Sequence, residues 1–216
     1  MEKRKAYSLR EVLIVYNFAM VILSAWMAYE FIASALDIPN FDSFVNRCTT
    51  SVVTKDYLPA FVTFAGCQSL WKLDTFFFIL RKKNNQVSFL HVYHHAATCI
   101  FWWMRCKYMP VYFPAALNSF VHAVMYAYYG LSAIGPQMQP YLWWKAHITK
   151  LQLIQFVVAL IYWGNAIFRC KCVVGFHQIS ISYSQWVFFV SQFGLFSNFY
   201  IQSYLKINKA NQGKKD

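Results

Sequence analysis

The histidines of this chain sit where histidine is costly. His91-Val-Tyr-His94-His95 lies in an apolar run. Positions i, i+3 and i+4 of a helix share one face, so the three imidazoles project together. The next apolar run carries Asn118-x-x-x-His122, then Met125, Tyr126, Tyr128 and Tyr129. Its i, i+4 spacing stacks Asn118 on His122. Four of the six histidines therefore fall in two neighbouring apolar segments. Asp74 and Thr75 lie in the run before them, and Gln152 and Gln155 in the run after. Ionisable groups inside membrane segments are costly and mark working sites. The tyrosine stripe suits packing as well as chemistry. His147 and His177 sit near segment ends.

Two chemistries fit such a cluster. Neutral imidazole ligates iron or zinc. A membrane di-iron centre needs more histidines, in several boxes, than the six present. A single metal on His91, His94 and His95 stays open, with Asp74 the nearest carboxylate in the sequence. Alternatively, imidazole accepts an acyl group and passes protons near neutral pH, which requires no metal and no cofactor.

The elements that must position these groups read as membrane helices. Hydrophobic residues make up 58% of the chain and charged residues 13%, with a mean hydropathy of +0.33. A soluble domain carries roughly a quarter charged residues. Six apolar segments reach the ~20 residues needed to cross hydrocarbon. They run over 12–36, 57–80, 87–104, 110–133, 148–168 and 173–205. This predicts an all-α polytopic bundle of about six transmembrane helices, formed as a single unit over residues 1–216.

Net charge is +12, and the basic residues stand in short blocks between the apolar runs. That pattern is a topology signal rather than a nucleic-acid surface. If each segment switches sides, one side collects the four basic residues before segment one, then Arg81, Lys82, Lys83, Lys145, Lys150, Lys206, Lys209, Lys214 and Lys215. The other side holds only Arg47, Lys55, Arg105, Lys107, Arg169 and Lys171. The excess predicts that both termini face the cytosol. Cys48 can pair with Cys170 or Cys172 in an oxidising lumen, or all three can stay thiols.

Four stretches resemble the very-long-chain fatty acid elongase (ELO) family. They are Asp74-Thr75-Phe76-Phe77-Phe78-Ile79-Leu80-Arg81-Lys82-Lys83; Gln86-x-x-Phe89-Leu90-His91-Val92-Tyr93-His94-His95; Asn118-x-x-x-His122-x-x-Met125-Tyr126-x-Tyr128-Tyr129; and Thr149-x-x-Gln152-x-x-Gln155. They fall in family order and spacing, and the resemblance covers nearly the whole chain. The resemblance implies an endoplasmic reticulum enzyme that condenses acyl-CoA with malonyl-CoA to 3-ketoacyl-CoA, CO2 and CoA. It implies His94 as nucleophile, with His91, His95 and His122 as catalytic companions. Asn118, Gln86, Asp74, Tyr126, Tyr129, Gln152, Lys82 and Lys83 become substrate-binding candidates around a narrow acyl tunnel. It also implies partnership with other elongases and with the reductase and dehydratase of the cycle.

Two features depart from the family. Its Lys-x-x-Glu-x-x-Asp reads here as Gln68-x-x-Trp71-x-x-Asp74. The family also has seven spans, and this chain begins where the second would. The first departure keeps a second reading open, a weakened homologue acting as a partner subunit. Outside the resemblance, a transporter using the histidines as a proton relay is the competing reading.

Overall fold

The computed structural model describes residues 7–36, 70, 73–83, 87–108, 112–168 and 176–206. Every regular element among them is helical. Six α-helices occur among the described residues: α1 Arg10–Leu36, α2 Leu73–Leu80, α3 Phe89–Tyr108, α4 Tyr112–Ile134, α5 Lys145–Phe168 and α6 Phe176–Tyr200. A 3-10 turn over Pro136–Tyr141 links α4 to α5, and a π turn over Ile201–Leu205 extends α6. Five of the six expected segments thus appear as long helices with ends shifted by a few residues. Of the second, only Leu70 and the part from Leu73 onward lies among the described residues.

Local chemistry sets the helix ends. Ser88 caps α3: its Oγ accepts from the His91 N–H at 3.3 Å, an N-cap to N3 bond that fixes where the histidine face begins. Pro114 stands in the first turn of α4, where a missing N–H leaves no bond unmade. Gly135 ends α4 at φ 126°, a conformation closed to residues with a Cβ, and Pro136 follows. The α2 terminus is a Schellman motif. Lys83 N–H donates to the Phe78 carbonyl at 2.9 Å and Lys82 N–H to that of Ile79 at 3.1 Å. Lys82 occupies the left-handed position, φ 54°, usually given to glycine.

Named contacts join the helices in a closed ring, α1–α4–α5–α6–α3–α2 and back to α1. The most extensive pairing is α1 with α4, where Met20, Met27 and Phe31 pack on Ala115, Ala116 and Tyr126. Small residues let these backbones approach: a Cβ on Gly130 would meet Asn17 and Phe18 at 3.4 Å. The second core, Phe156, Ala159 and Trp163 against Phe188, Phe189 and Phe196, joins α5 to α6. On the far side, Thr75 of α2 meets His91 of α3 at 2.8 Å. Phe77 of α2 packs edge-on against Tyr16 of α1.

The outer surface stays apolar. Val15, Ile22, Tyr29, Ile32 and Leu36 are exposed along α1, as are Ile154 and Ile161 on α5. A helix apolar on both faces is built for lipid or for a buried core. Two described stretches, Arg10–Ala33 of α1 and Lys145–Asn165 of α5, are long and apolar enough to cross a bilayer, with mean hydropathies of 1.9 and 1.3. In α3, α4 and α6 the histidines, amides and hydroxyls of the interior dilute the apolar signal.

One end of the ring gathers basic residues. Tyr7 N–H donates to the Leu80 carbonyl at 3.2 Å, so the start of α1 lies beside the end of α2 and Arg81–Lys83. The Arg10 guanidinium donates to the carbonyl of Ile134, the last residue of α4. There its charge complements the negative end of that helix dipole.

Candidate active site

The interior of the ring is where the histidines meet. α3 presents His91 and His95 with ring centroids 4.3 Å apart, and His94 and His95 5.7 Å apart. His91 is held by Thr75 and by the Phe78 ring, whose centroid lies 5.3 Å away. From α4, His122 is buried, with His94 and His95 among its electrostatic neighbours. Its ring lies 6.0 Å from that of Tyr126. The four catalytic candidates therefore occupy one interior region.

His94 lies at the centre. Its Nδ1 is 3.0 Å from Gln192 Oε1 of α6 and 3.5 Å from Thr98 Oγ1 one turn on. Edge-to-face contacts with Phe156 and Phe196 fix the ring plane. His94 also lines a cavity whose walls come from α3, α4, α5 and α6. Asn118 and Gln155 are polar neighbours on that wall. Trp102 and Phe113 stand toward the other end of the helices, and Phe188 and Phe189 close the α6 side. Asn118 is buried, and its Oδ1 has no hydrogen-bond partner among the described residues. A buried amide oxygen without a donor is costly unless a ligand or water supplies one.

The other binding candidates divide. Tyr126 is fully buried and donates to Asp74 Oδ2 at 2.8 Å, with Tyr16 against the same carboxylate. The Asp74–Tyr126 pair thus ties α2 to α4. Gln152 Nε2 donates to Met125 Sδ at 3.7 Å, which ties α5 to α4. Tyr129 is 43% exposed and packs edge-on against Tyr126 and Tyr128. Lys82 and Lys83 lie at the basic end, about one turn beyond Phe78, whose ring packs on His91. Partial burial, and then the charge of Arg81, pull the Lys83 ammonium below its ordinary pKa. Gln86, Gln68, Trp71, Cys48, Cys170 and Cys172 lie outside the described residues. Among the described residues, no three His, Cys, Asp or Glu side chains converge as metal ligands do.

Sequence reasoning missed the α6 contribution. Ser191 and Gln192 meet Tyr93 and His94 as two adjacent cross-helix bonds. Ser191 Oγ donates to the Phe188 carbonyl at 2.7 Å, so it accepts from the Tyr93 hydroxyl at 2.9 Å. Neutral Ser and Gln carry no charge signal. The trace available in sequence was Gln185 and Gln192 spaced two turns apart in an apolar run, one face of a helix.

Residues 1–212 match the ELO: GNS1/SUR4 family. The chain belongs to the ELO family. It is 40% identical to very long chain fatty acid elongase 5 of Rattus norvegicus over 212 residues, 95% of this chain and 68% of that one. It is 38% identical to very long chain fatty acid elongase 4 of Homo sapiens over 229 residues, 99% and 68% respectively. Very long chain fatty acid elongase 1 of Mus musculus is 41% identical over 214 residues, 95% and 75%. In this ELO protein the HxxHH element supplies the inner face of α3, and Asn118-x-x-x-His122 supplies the facing wall of α4.

Proposed function

We propose that this ELO protein is a fatty acid elongase condensing enzyme, joining an acyl-CoA to malonyl-CoA. In the first half-reaction His94 Nε2 attacks the thioester carbonyl, the C–S bond breaks, and CoA leaves as thiolate, taking up a proton. In the second, malonyl-CoA loses CO2. The resulting enolate carbon attacks the acyl-imidazole, the C–N bond breaks, and 3-ketoacyl-CoA departs. Dividing one difficult condensation into two steps is what a covalent intermediate accomplishes. His91, His95 and His122 are the groups within reach to move protons and steady the developing oxyanions. Asn118 offers its amide to a carbonyl oxygen.

One observation carries the reading: His94 lines a cavity with aromatic walls, together with the buried Asn118. An acyl chain laid along that wall gains about 0.8 kcal/mol per buried methylene. The basic end, with Arg81, Lys82 and Lys83, suits CoA phosphates. By the excess of basic residues it belongs in the cytosol, with the ring spanning the endoplasmic reticulum membrane several times and both termini cytosolic. Other elongases and the reductase and dehydratase of the cycle are its partners in this reading.

The test is incorporation of labelled malonyl-CoA into longer acyl chains by purified protein. His94→Ala is expected to lower turnover on the order of 10³-fold or more. Unchanged turnover in that variant sinks the nucleophile assignment. A second reading, a partner subunit without its own turnover, is favoured by Gln68 and Trp71 standing where the family carries Lys and Glu. It predicts no incorporation by the folded protein alone and restored or raised incorporation when it is mixed with an active elongase. Proton or solute flux in liposomes without a new carbon–carbon bond favours the transporter.

A further inference from the structure

We infer that Gln192 is a positioning residue that holds His94 in the tautomer with its proton on Nδ1, leaving the Nε2 lone pair for the acyl group. The inference rests on the reading of His94 as nucleophile.

Gln192 is fully buried on the inner face of α6, in a stripe with Ser182, Gln185, Phe189 and Phe196. Its Oε1 lies 3.0 Å from His94 Nδ1, and an amide oxygen only accepts, so the shared proton belongs to the imidazole. A neutral imidazole carries one proton. Placing it on Nδ1 makes Nε2 the basic and nucleophilic nitrogen. Thr98 Oγ1, at 3.5 Å from the same nitrogen, is at the limit of hydrogen bonding and secondary to Gln192.

Stability alone does not account for this amide. Gln192 Nε2 is buried without a hydrogen-bond partner among the described residues. Such a group is destabilising, and an apolar side chain of similar shape would pack there at less cost. What the oxygen contributes is direction. It fixes which nitrogen faces the reacting carbonyl, and it strengthens once acylation at Nε2 turns the ring into a cation whose Nδ1–H bond is charge-assisted. An interaction stronger in the charged intermediate than in the free enzyme raises kcat rather than lowering KM. The adjacent Tyr93–Ser191 bond keeps the two helices in the register that brings Gln192 to His94.

The experiment is nitrogen NMR on the full chain in detergent or nanodiscs with labelled histidine, His94 being assigned by the resonance lost in His94→Gln. Wild type is expected to show the Nδ1–H tautomer at His94, and Gln192→Met a loss of that preference. An Nε2–H tautomer in wild type, or an unchanged tautomer in folded Gln192→Met, overturns the inference. The kinetic arm uses the condensation assay. Gln192→Met should lower kcat roughly tenfold to a hundredfold with KM changed less than twofold, the loss of one charge-assisted bond. Gln192→Glu keeps the acceptor and should recover at least tenfold over Gln192→Met. Equal inactivity of the folded Met and Glu variants counts against the inference. Full turnover in His94→Ala instead removes the nucleophile reading and leaves the tautomer result standing on its own.

Discussion

Tyr126 donates its hydroxyl to Asp74 Oδ2 across 2.8 Å, while Thr75, the next residue along α2, meets His91 Nε2 at the same distance. The Asp-Thr dipeptide is therefore a two-way tie. One side chain reaches α4 and the other reaches α3. Through it the short α2 sets where the first imidazole of the HxxHH element can lie. A carboxylate inside the ring is tolerable only while hydroxyls donate to it.

Removing that donor exposes the cost. Tyr126→Phe leaves a buried carboxylate short of a partner and should destabilise the protein by about 1–3 kcal/mol. Asp74→Asn keeps an acceptor and should cost less. Thermal unfolding of both variants in the same detergent checks the order, and a Tyr126→Phe midpoint equal to wild type contradicts the tie.

Lys82 sits at φ 54°, where a Cβ is strained. Lys82→Gly relieves about 1–2 kcal/mol of backbone strain. The unfolding midpoint should rise while KM for the CoA thioester also rises, because the ammonium at the basic end is lost. A lower midpoint in Lys82→Gly shows that the side chain, not the backbone, dominates at this turn.

The turn after α4 behaves in the opposite way. Gly135 has φ 126°, and an added Cβ would lie 3.1 Å from Arg10 Nη2. Gly135→Ala should cost about 1–3 kcal/mol through the backbone alone. Because it disturbs the Arg10–Ile134 bond as well, combining it with Arg10→Ala should cost less than the two single losses added together. Strict additivity in that cycle excludes the coupling.

The cavity that His94 lines is also lined by Trp102, which is 4% exposed. Eight residues of helix separate them, about 12 Å along α3. If the acyl chain lies there, Trp102→Ala lengthens the space and shifts products toward longer chains. The readout is the product chain-length distribution by mass spectrometry from a mixture of acyl-CoA substrates. An unchanged distribution with intact turnover places the acyl chain elsewhere.

Much of this arrangement is legible in sequence because it depends on helical periodicity. His91, His94 and His95 share a face by spacing alone, and they do come together. The basic blocks foretold that Arg10 and Arg81–Lys83 share one end, and the Tyr7–Leu80 bond puts them there. What spacing does not carry is the identity of partners across helices. Asp74 and Tyr126 both read as binding residues, and nothing local reveals that they bind each other. The partner of Gln192 is hidden for a related reason. A neutral amide in an apolar run looks like dilution until the facing helix is known.

The bond between His94 and Gln192 joins residues 98 positions apart, from the third described helix and the last. During synthesis the α3 imidazoles leave the ribosome long before their α6 counterpart exists. A nascent chain that already carries every histidine of the HxxHH element still lacks the acceptor for His94 Nδ1. The orientation of the His94 ring is therefore set only when the last described helix docks and closes the ring.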